Sequence, residues 1–376
     1  MASLKNKFII SFLFLTFFTS ESFSQGLYAE DGSMPMHVWY HGENLDRHVI
    51  DGNLFKQHLE REGVSLKSLN YPYDWVQDLS LFAADGSFLL MAPFEFDEDY
   101  CYGLTMGIFD DESGYPHIKR LRPEQAEKLN LKTRQMQWTF VEGGEMISGQ
   151  FANGETYAIA SSDVLQRTLY DYHQRFQKEI SPDEGKELIA KDFQIKKENL
   201  FFVESYEHLD LNIMAIPGGK ILINDPKLVP ETIKNIISQQ KLNFLEEKDL
   251  LGIKNYYENI YLLDAYQGRQ LMRMLDKIEK DLESRFKIIR VAGKFLGPQY
   301  YTWGGARDRI NFLNAFLGKN PQGNVFVFTN SAQGLHTLEK YWRKILNKFD
   351  IQDEHIYFDG NYSSGAGLDC LGAGSK

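Results

Sequence analysis

Ile310-Asn-Phe-Leu-Asn-Ala-Phe316, Asn320-Pro-Gln-Gly323, Val325-Phe-Val-Phe328, the run from Leu335 to Phe349 and the run from His355 to Phe358 follow one another late in a chain of 376 residues. Read in order they predict a strand, a turn, a second strand, a helix and a third strand. Pro321 and Gly323 punctuate the chain reversal, since proline presets a turn and glycine tolerates its unusual dihedrals. Leu335, Leu338, Trp342 and Ile345 recur at three- and four-residue spacing, which puts them on one face of a helix.

Outward from this stretch the same order recurs. Phe140 to Ile147, Tyr157 to Ala160, helical material from Ser162 to about Lys191, and Leu200 to Glu204 make a second copy. A third begins at His208, turns at Pro217-Gly-Gly219, returns through Lys220 to Asn224 and ends with Ile288 to Val291. Its helical part is long, with Leu271, Leu275, Ile278 and Leu282 forming one apolar stripe. Trp75 to Ala83, the hairpin dipeptide Asp85-Gly86 and Ser87 to Met91 open a fourth copy, and His37 to His41 with helical Leu54 to Leu59 supply part of a fifth. Self-similarity at roughly 60–70 residues predicts an α/β fold of repeated ββαβ units arranged in a ring, each unit burying its apolar face against its neighbours. No linker rich in Pro, Gly or Ser divides residues 25–376, which therefore read as one domain with residues 230–286 as a helical insertion.

Composition narrows the function. A formal net charge of −11 argues against a nucleic-acid partner, which rewards clustered Lys and Arg. Two cysteines, Cys101 and Cys370, are too few to staple a fold of this size, and a bridge between them is the structural alternative to a reactive thiol. Lys5 and Lys7 precede an apolar run from Phe8 to Phe18 that is too short to span a bilayer, and small residues follow at Ser22 and Ser24. Residues 1–24 are thus expected to be a signal peptide, with the rest secreted or periplasmic and away from the membrane after cleavage.

Placed on the repeat, the unusual polar residues fall at equivalent positions: Asp78, Glu142, and His208 with Asp210 each in the first strand of a unit, and Cys370 where a final first strand begins. First strands of a ring converge on its axis, so these residues are expected to share one pocket. In Glu207-His208-Leu209-Asp210-Leu211 the alternation predicts a strand with His208 and Asp210 on one face. Each segment alone has a plain structural explanation: Asp78 as a cap, the glycines after Glu142 as a bulge, His208 and Asp210 as a surface hydrogen bond. Gly-x-Ser-x-Gly, His-Glu-x-x-His and paired Cys-x-x-Cys are absent.

The order Trp75-Val-Gln-Asp78, Glu142-Gly-Gly144, His208-Leu-Asp210 and a glycine-rich Cys370 resembles the guanidino-group-modifying enzymes, or penteins, across most of the chain. Asn311-Phe312 is similar to that family's Asn-Phe strand. The resemblance implies a pentein α/β-propeller, five ββαβ units about a pseudo-fivefold axis, and a deiminase that attacks a guanidinium carbon with Cys370. Asp78 and Asp210 would bind the planar cation, Glu142 would either bind it with them or orient His208, Trp75 and Asn311 would line its site, and His208 would carry protons. The Trp-x-Gln-Asp form points first to arginine in peptides or proteins as substrate; a small guanidino compound such as agmatine or free arginine is the alternative, and a noncatalytic secreted binder the third reading. Two residues depart from the family: Glu145 stands where Asn is frequent, and Asp369 stands where His is usual, beside the proposed nucleophile. A carboxylate there opposes thiolate formation. No cofactor is expected. Calcium, which some members of the family use, would have to bind the acidic stretches Glu95 to Asp99 and Asp110 to Glu112, which contain no twelve-residue calcium loop and read as solvated loops.

Overall fold

The computed structural model describes residues 26–41, 45, 49–69, 81–92, 123–141, 143–205, 208–264, 268–297, 309–361 and 372–375. After a lone strand β1 (Asp31–Pro35), one connection repeats. β2 (Val38–His41), α1 (Gly52–Arg61) and β3 (Ser65–Ser68) come first, then β4 (Leu81–Phe82), β5 (Phe88–Leu90), α2 (Pro123–Lys128) and β6 (Thr133–Gln135). The third group is β7 (Met146–Gln150), β8 (Thr156–Ser161), α3 (Ser162–Phe176), α4 (Pro182–Phe193) and β9 (Leu200–Val203). The fourth is β10 (Ile213–Ile216), β11 (Lys220–Asn224), α5 (Leu228–Gln239), α6 (Phe244–Tyr256), α7 (Gly268–Leu282) and β12 (Lys287–Val291). A hairpin of β13 (Lys294–Leu296) and β14 (Arg309–Asn311) leads into β15 (Phe316–Lys319), β16 (Val325–Asn330), α8 (His336–Leu346) and β17 (Ile356–Gly360), and β18 (Gly372–Ser375) ends the chain.

Each full group obeys one pairing rule: the first strand is antiparallel to the second, and the second is parallel to the third across a helical crossover. β18 supplies the missing first strand of the earliest group by pairing antiparallel to β2, with Gly372 opposite His41. β1 adds itself, parallel, to β15. First strands lie beside one another, β7 against β10 and β18 against both β15 and β4, and β1 touches β7 and β10. The sheets remain separate hydrogen-bonded units, and no barrel closes among the described strands.

The expected strand from Ile310 to Phe316 is two strands in different sheets. Ile310 belongs to β14 and Phe316 opens β15, because Asn311 and Asn314 between them spend their side chains on neighbouring segments rather than on a ladder. The single helix expected from Ser162 to about Lys191 is also two. Gln177 adopts a left-handed conformation (φ 53°) that ends α3, and Ser181 starts α4 with a reciprocal cap: its hydroxyl accepts from the Glu184 N–H while the Glu184 carboxylate takes the Ser181 N–H. Replacing Ser181 with alanine is expected to cost about 1 kcal/mol in urea unfolding, with no change in any activity.

The helices of the expected insertion occupy the crossover position of the fourth group. Leu271, Leu275, Ile278 and Leu282 are buried as their spacing predicts, and α7 packs on β9 and β11. Val229, Ile233, Leu250 and Ile253 from α5 and α6 join the same core, which continues through Phe312 to Trp342 of α8. At the other edge, Glu62 at the end of α1 is wholly buried and accepts from Tyr357 Oη (2.5 Å), His355 Nδ1 (2.7 Å) and Asn320 Nδ2 (2.7 Å), which locks α1 against β17. No helix among the described residues is long and apolar enough to cross a membrane.

Candidate functional site

Two one-turn 3-10 helices define the site. Gly143–Glu145 leads into β7, and Leu209–Leu211 leads into β10; because β7 and β10 are neighbours, the turns lie side by side. His208 and Asp210 are therefore not on a strand face, as the alternation predicted. Leu209 and Asp210 are both buried, at 1% and 2% exposure, since a 3-10 turn splays successive side chains about a third of a circle apart instead of sending them to opposite faces.

Gly144 sits directly against His208. A Cβ built on Gly144 would lie 2.2 Å from the His208 Nδ1 and 2.6 Å from its Cγ, so the imidazole occupies the space of the missing side chain. The Glu-Gly-Gly and His-x-Asp segments are thus brought into contact from different groups of the fold. Asp210 is held by Asn314, whose Nδ2 donates to Oδ2 at 2.8 Å. Asn311 works one step back: its Nδ2 donates to the Leu211 carbonyl (3.1 Å) and its Oδ1 accepts from Leu313 N–H (3.1 Å), which ties β14 to the Asp210 turn through the backbone. Asn330 continues the brace, donating to the carbonyls of Asn311 (2.6 Å) and Asn314 (3.2 Å).

The turn carrying Gly144 is itself anchored. Glu145, where the resembling family often has Asn, forms an ion pair with Arg167 of α3, and Arg167 is 4% exposed with its guanidinium over the Phe140 ring. Burial raises the neighbouring Asp163 carboxyl, and the Arg167 charge works against that rise.

Sequence reading missed two carboxylates at the centre. Glu30 and Asp31 lie where the lone strand β1 begins. Glu30 and Asp210 line a common cavity of about 20 Å³, walled otherwise by apolar side chains such as Met146, Ile213 and Leu313. Burial, with Asp210 and Asp31 nearby, pushes the Glu30 carboxyl up to about 7. Asp31 has no exposed surface; burial pushes it up to about 6, although Oδ1 accepts from Ser33 N–H and Oδ2 from Gln150 N–H, both at 2.9 Å. The phenols of Tyr28 and Tyr157, buried beside these carboxyls, are likewise raised by burial. The one available signal was Glu30-Asp31 itself, adjacent carboxylates ahead of a Gly-Ser pair, which lie outside every repeat read from the sequence.

Trp75, Asp78, Glu142 and Cys370 lie outside the described residues, as do Cys101, Asp369 and the acidic stretches Glu95 to Asp99 and Asp110 to Glu112. Of the expected site residues, His208, Asp210 and Asn311 are described, and they cluster. β18 begins two positions after Cys370, in the place expected for a final first strand. Among the described residues no three His, Cys, Asp or Glu side chains are grouped to hold a metal ion.

No family model and no curated protein sequence matches the chain. Solved structures do. The chain superimposes on C. jejuni agmatine deiminase with a TM-score of 0.51 at 11% identity, over 93% of this chain and 95% of that one. A dimethylarginine dimethylaminohydrolase (DDAH) from Pseudomonas aeruginosa complexed with citrulline gives a TM-score of 0.38 at 9% identity, over 91% of this chain and 100% of that one. At such identities the likeness is one of fold: along nearly its whole length the chain shares the mixed α/β fold of agmatine deiminase, a guanidino-group-modifying enzyme of the pentein type that its sequence motifs resemble.

Proposed function

We propose that the protein is a guanidino-group hydrolase that deiminates a small guanidino compound, with Cys370 as nucleophile. The observation that carries this reading is the packing of His208 against Gly144, which puts the His-x-Asp and Glu-Gly-Gly segments side by side in a fold shared with an agmatine deiminase. That likeness favours a small substrate over arginine in peptides, the choice suggested by the Trp75-Val-Gln-Asp78 spelling alone. In this reading the repeats form five ββαβ units about a pseudo-fivefold axis, and residues 1–24 direct the chain out of the cytoplasm.

Asp210 and Asp78, with Glu142, hold the planar cation through its N–H groups. The Cys370 thiolate adds to the guanidinium carbon; the C–N bond to one amino group breaks as His208 gives that nitrogen a proton, and ammonia leaves. The product of this half is a thiouronium on Cys370. His208 then takes a proton from water, whose oxygen adds to the same carbon, and the C–S bond breaks to release a ureido compound and restore the thiolate. The adjacent Asp369 acts against the thiolate, so the pH at which Cys370 becomes reactive is expected to be high.

The test incubates the full chain and its Cys370→Ala variant, under reducing conditions with and without calcium, with agmatine, free arginine and an arginine peptide. Equal amounts of ureido product and ammonia are expected from a small guanidino compound and none from the variant. No product from any of the three substrates sinks the proposal and leaves a binder; faster turnover of the peptide restores the peptidyl reading.

A further inference from the structure

Glu30 is placed to do more than fill the centre of the molecule. It reaches into the same cavity as Asp210, the carboxylate assigned above to the guanidinium, and its own hydrogen bonds indicate which form it takes. Ser148 on β7 has one hydroxyl proton. Its Oγ lies 2.8 Å from the Tyr28 carbonyl and 3.1 Å from Glu30 Oε2 and is placed to donate to either, but the single proton serves only one of them at a time. The Oγ also accepts from the Glu30 N–H at 3.3 Å, which leaves it one further lone pair for a proton supplied by a neutral carboxyl. With Glu30 ionised the hydroxyl donates either to Oε2 or to the Tyr28 carbonyl, and only a proton on the carboxyl allows both contacts to be hydrogen bonds at once. A neutral Glu30 completes the network, whereas an ionised one leaves one of the two contacts without a proton in a buried place.

Of the groups facing Glu30, the carboxylates favour its neutral form and the Ser148 hydrogen bonds favour the ionised one. Asp31 and Tyr28 come from its own segment, Ser148 from β7, Tyr157 near Asp31 from β8, and Asp210 with its partner Asn314 from across the cavity. Burial does most to hold the group up to about 7, against the Ser148 hydrogen bonds and with the help of the carboxylates Asp210 and Asp31, the charged ones among the described residues acting on Glu30. A cation brought to Asp210 reverses that balance, because its positive charge offsets the carboxylate that keeps Glu30 neutral.

We propose that Glu30 carries a proton in the resting protein and releases it to solvent when a guanidinium cation settles beside Asp210, so that binding of the cation is coupled to loss of one proton. The balance is simple: carboxylic acid plus bound cation become carboxylate, bound cation and a hydrogen ion taken up by buffer. This rests on the guanidinium reading of the Asp210 site. It adds that this site is selective for full cations, since a neutral ureido product gives Glu30 no reason to stay ionised, and reprotonation of Glu30 then favours product release.

The test is calorimetric. The full chain carrying Cys370→Ser, to prevent turnover, is titrated with agmatine in two buffers of different ionisation enthalpy, and the dependence of the observed heat on buffer counts protons released. Release approaching one proton is expected near pH 6, falling toward zero by about pH 9, where Glu30 is ionised before the ligand arrives. The added substitution Glu30→Gln is expected to weaken binding, most at about pH 8 where the parent's Glu30 is already ionised, and to abolish the release. Binding without release, or release that persists in the Gln variant, overturns the proposal. Should Glu30→Gln not fold, the pH profile of release in the parent decides alone, a flat profile overturning the coupling. Absence of binding by any guanidinium overturns the coupling together with the reading of the Asp210 site. Infrared difference spectra of the unliganded parent and Gln variant separate the two failures, since the carbonyl band of a protonated Glu30 is expected in the resting protein whether or not the site binds a guanidinium.

Discussion

Replacement of Gly144 by alanine is expected to lower turnover of a guanidino substrate by about 100-fold while leaving the protein folded. The added methyl would stand 2.2 Å from the His208 Nδ1, closer than nonbonded atoms approach, so something has to move. The turn cannot retreat easily: it is followed at once by β7, and Glu145 is fixed to the buried Arg167. The imidazole is then the partner that has to yield, and a shift of about 1 Å takes the group proposed to transfer the proton out of hydrogen-bond reach. The backbone at Gly144 lies outside the left-handed region that disfavours side chains, so little intrinsic strain accompanies the change. A stability loss of only about 1–2 kcal/mol is therefore expected. Gly149→Ala is the control. Its methyl would meet the buried Tyr157 Oη at 2.3 Å and Asp31 Oδ2 at 2.8 Å, away from His208, so it should destabilise the fold without moving the imidazole. The ring resonances of His208 in an NMR titration distinguish the two: displaced in Gly144→Ala, unchanged in Gly149→Ala. Full turnover in Gly144→Ala would remove His208 from the chemistry.

The architecture was legible because its units repeat. Strand pairs, Gly-containing turns and apolar helix faces recur, and the structure places helices on the faces chosen by Leu271, Leu275, Ile278 and Leu282 and by Leu335, Leu338 and Trp342. What failed to show was local geometry governed by partners distant in sequence. Asn311 and Asn314 read as interruptions within a strand, yet each spends its amide on the Asp210 turn, more than ninety residues away in the chain. His208-Leu-Asp210 alternates like a strand, but the neighbouring 3-10 turn of Gly143–Glu145 and the burial of Asp210 impose a tighter helix. β1 was invisible for another reason. It is a single strand outside any unit, opening with the turn-prone Asp31-Gly-Ser33, and it is defined by parallel pairing with β15, nearly three hundred residues later. Its two carboxylates follow that strand into the centre, where no hydrophobic pattern would have put them.

Those carboxylates give the second large effect, a stability that falls as pH rises across the acid-to-neutral range. Burial raises Glu30 from 4.5 to about 7 and Asp31 from 3.8 to about 6. A raised carboxyl binds its proton more tightly in the folded state, so its contribution is fully present below the unfolded value of about 4 and is lost as pH climbs through 6 and 7. For Glu30 alone the loss amounts to about 3 kcal/mol. Carboxylates nearer the surface oppose the trend: desolvation raises Asp85, but the Lys132 ammonium and Ser87 together outweigh it and hold the carboxyl below its ordinary value, so its contribution is lost instead as pH falls. The comparison that isolates the centre is therefore between the parent and Glu30→Gln, whose amide can still donate to Ser148 Oγ. Urea is the denaturant of choice, because guanidinium is the head group proposed to bind at Asp210. Near pH 4 the two proteins should unfold at the same urea concentration, and by about pH 8 the variant should be the more stable by up to about 3 kcal/mol. Curves that run parallel across this range would mean that Glu30 ionises as it does in water, which its place between Ser148, Asp31 and Asp210 does not allow.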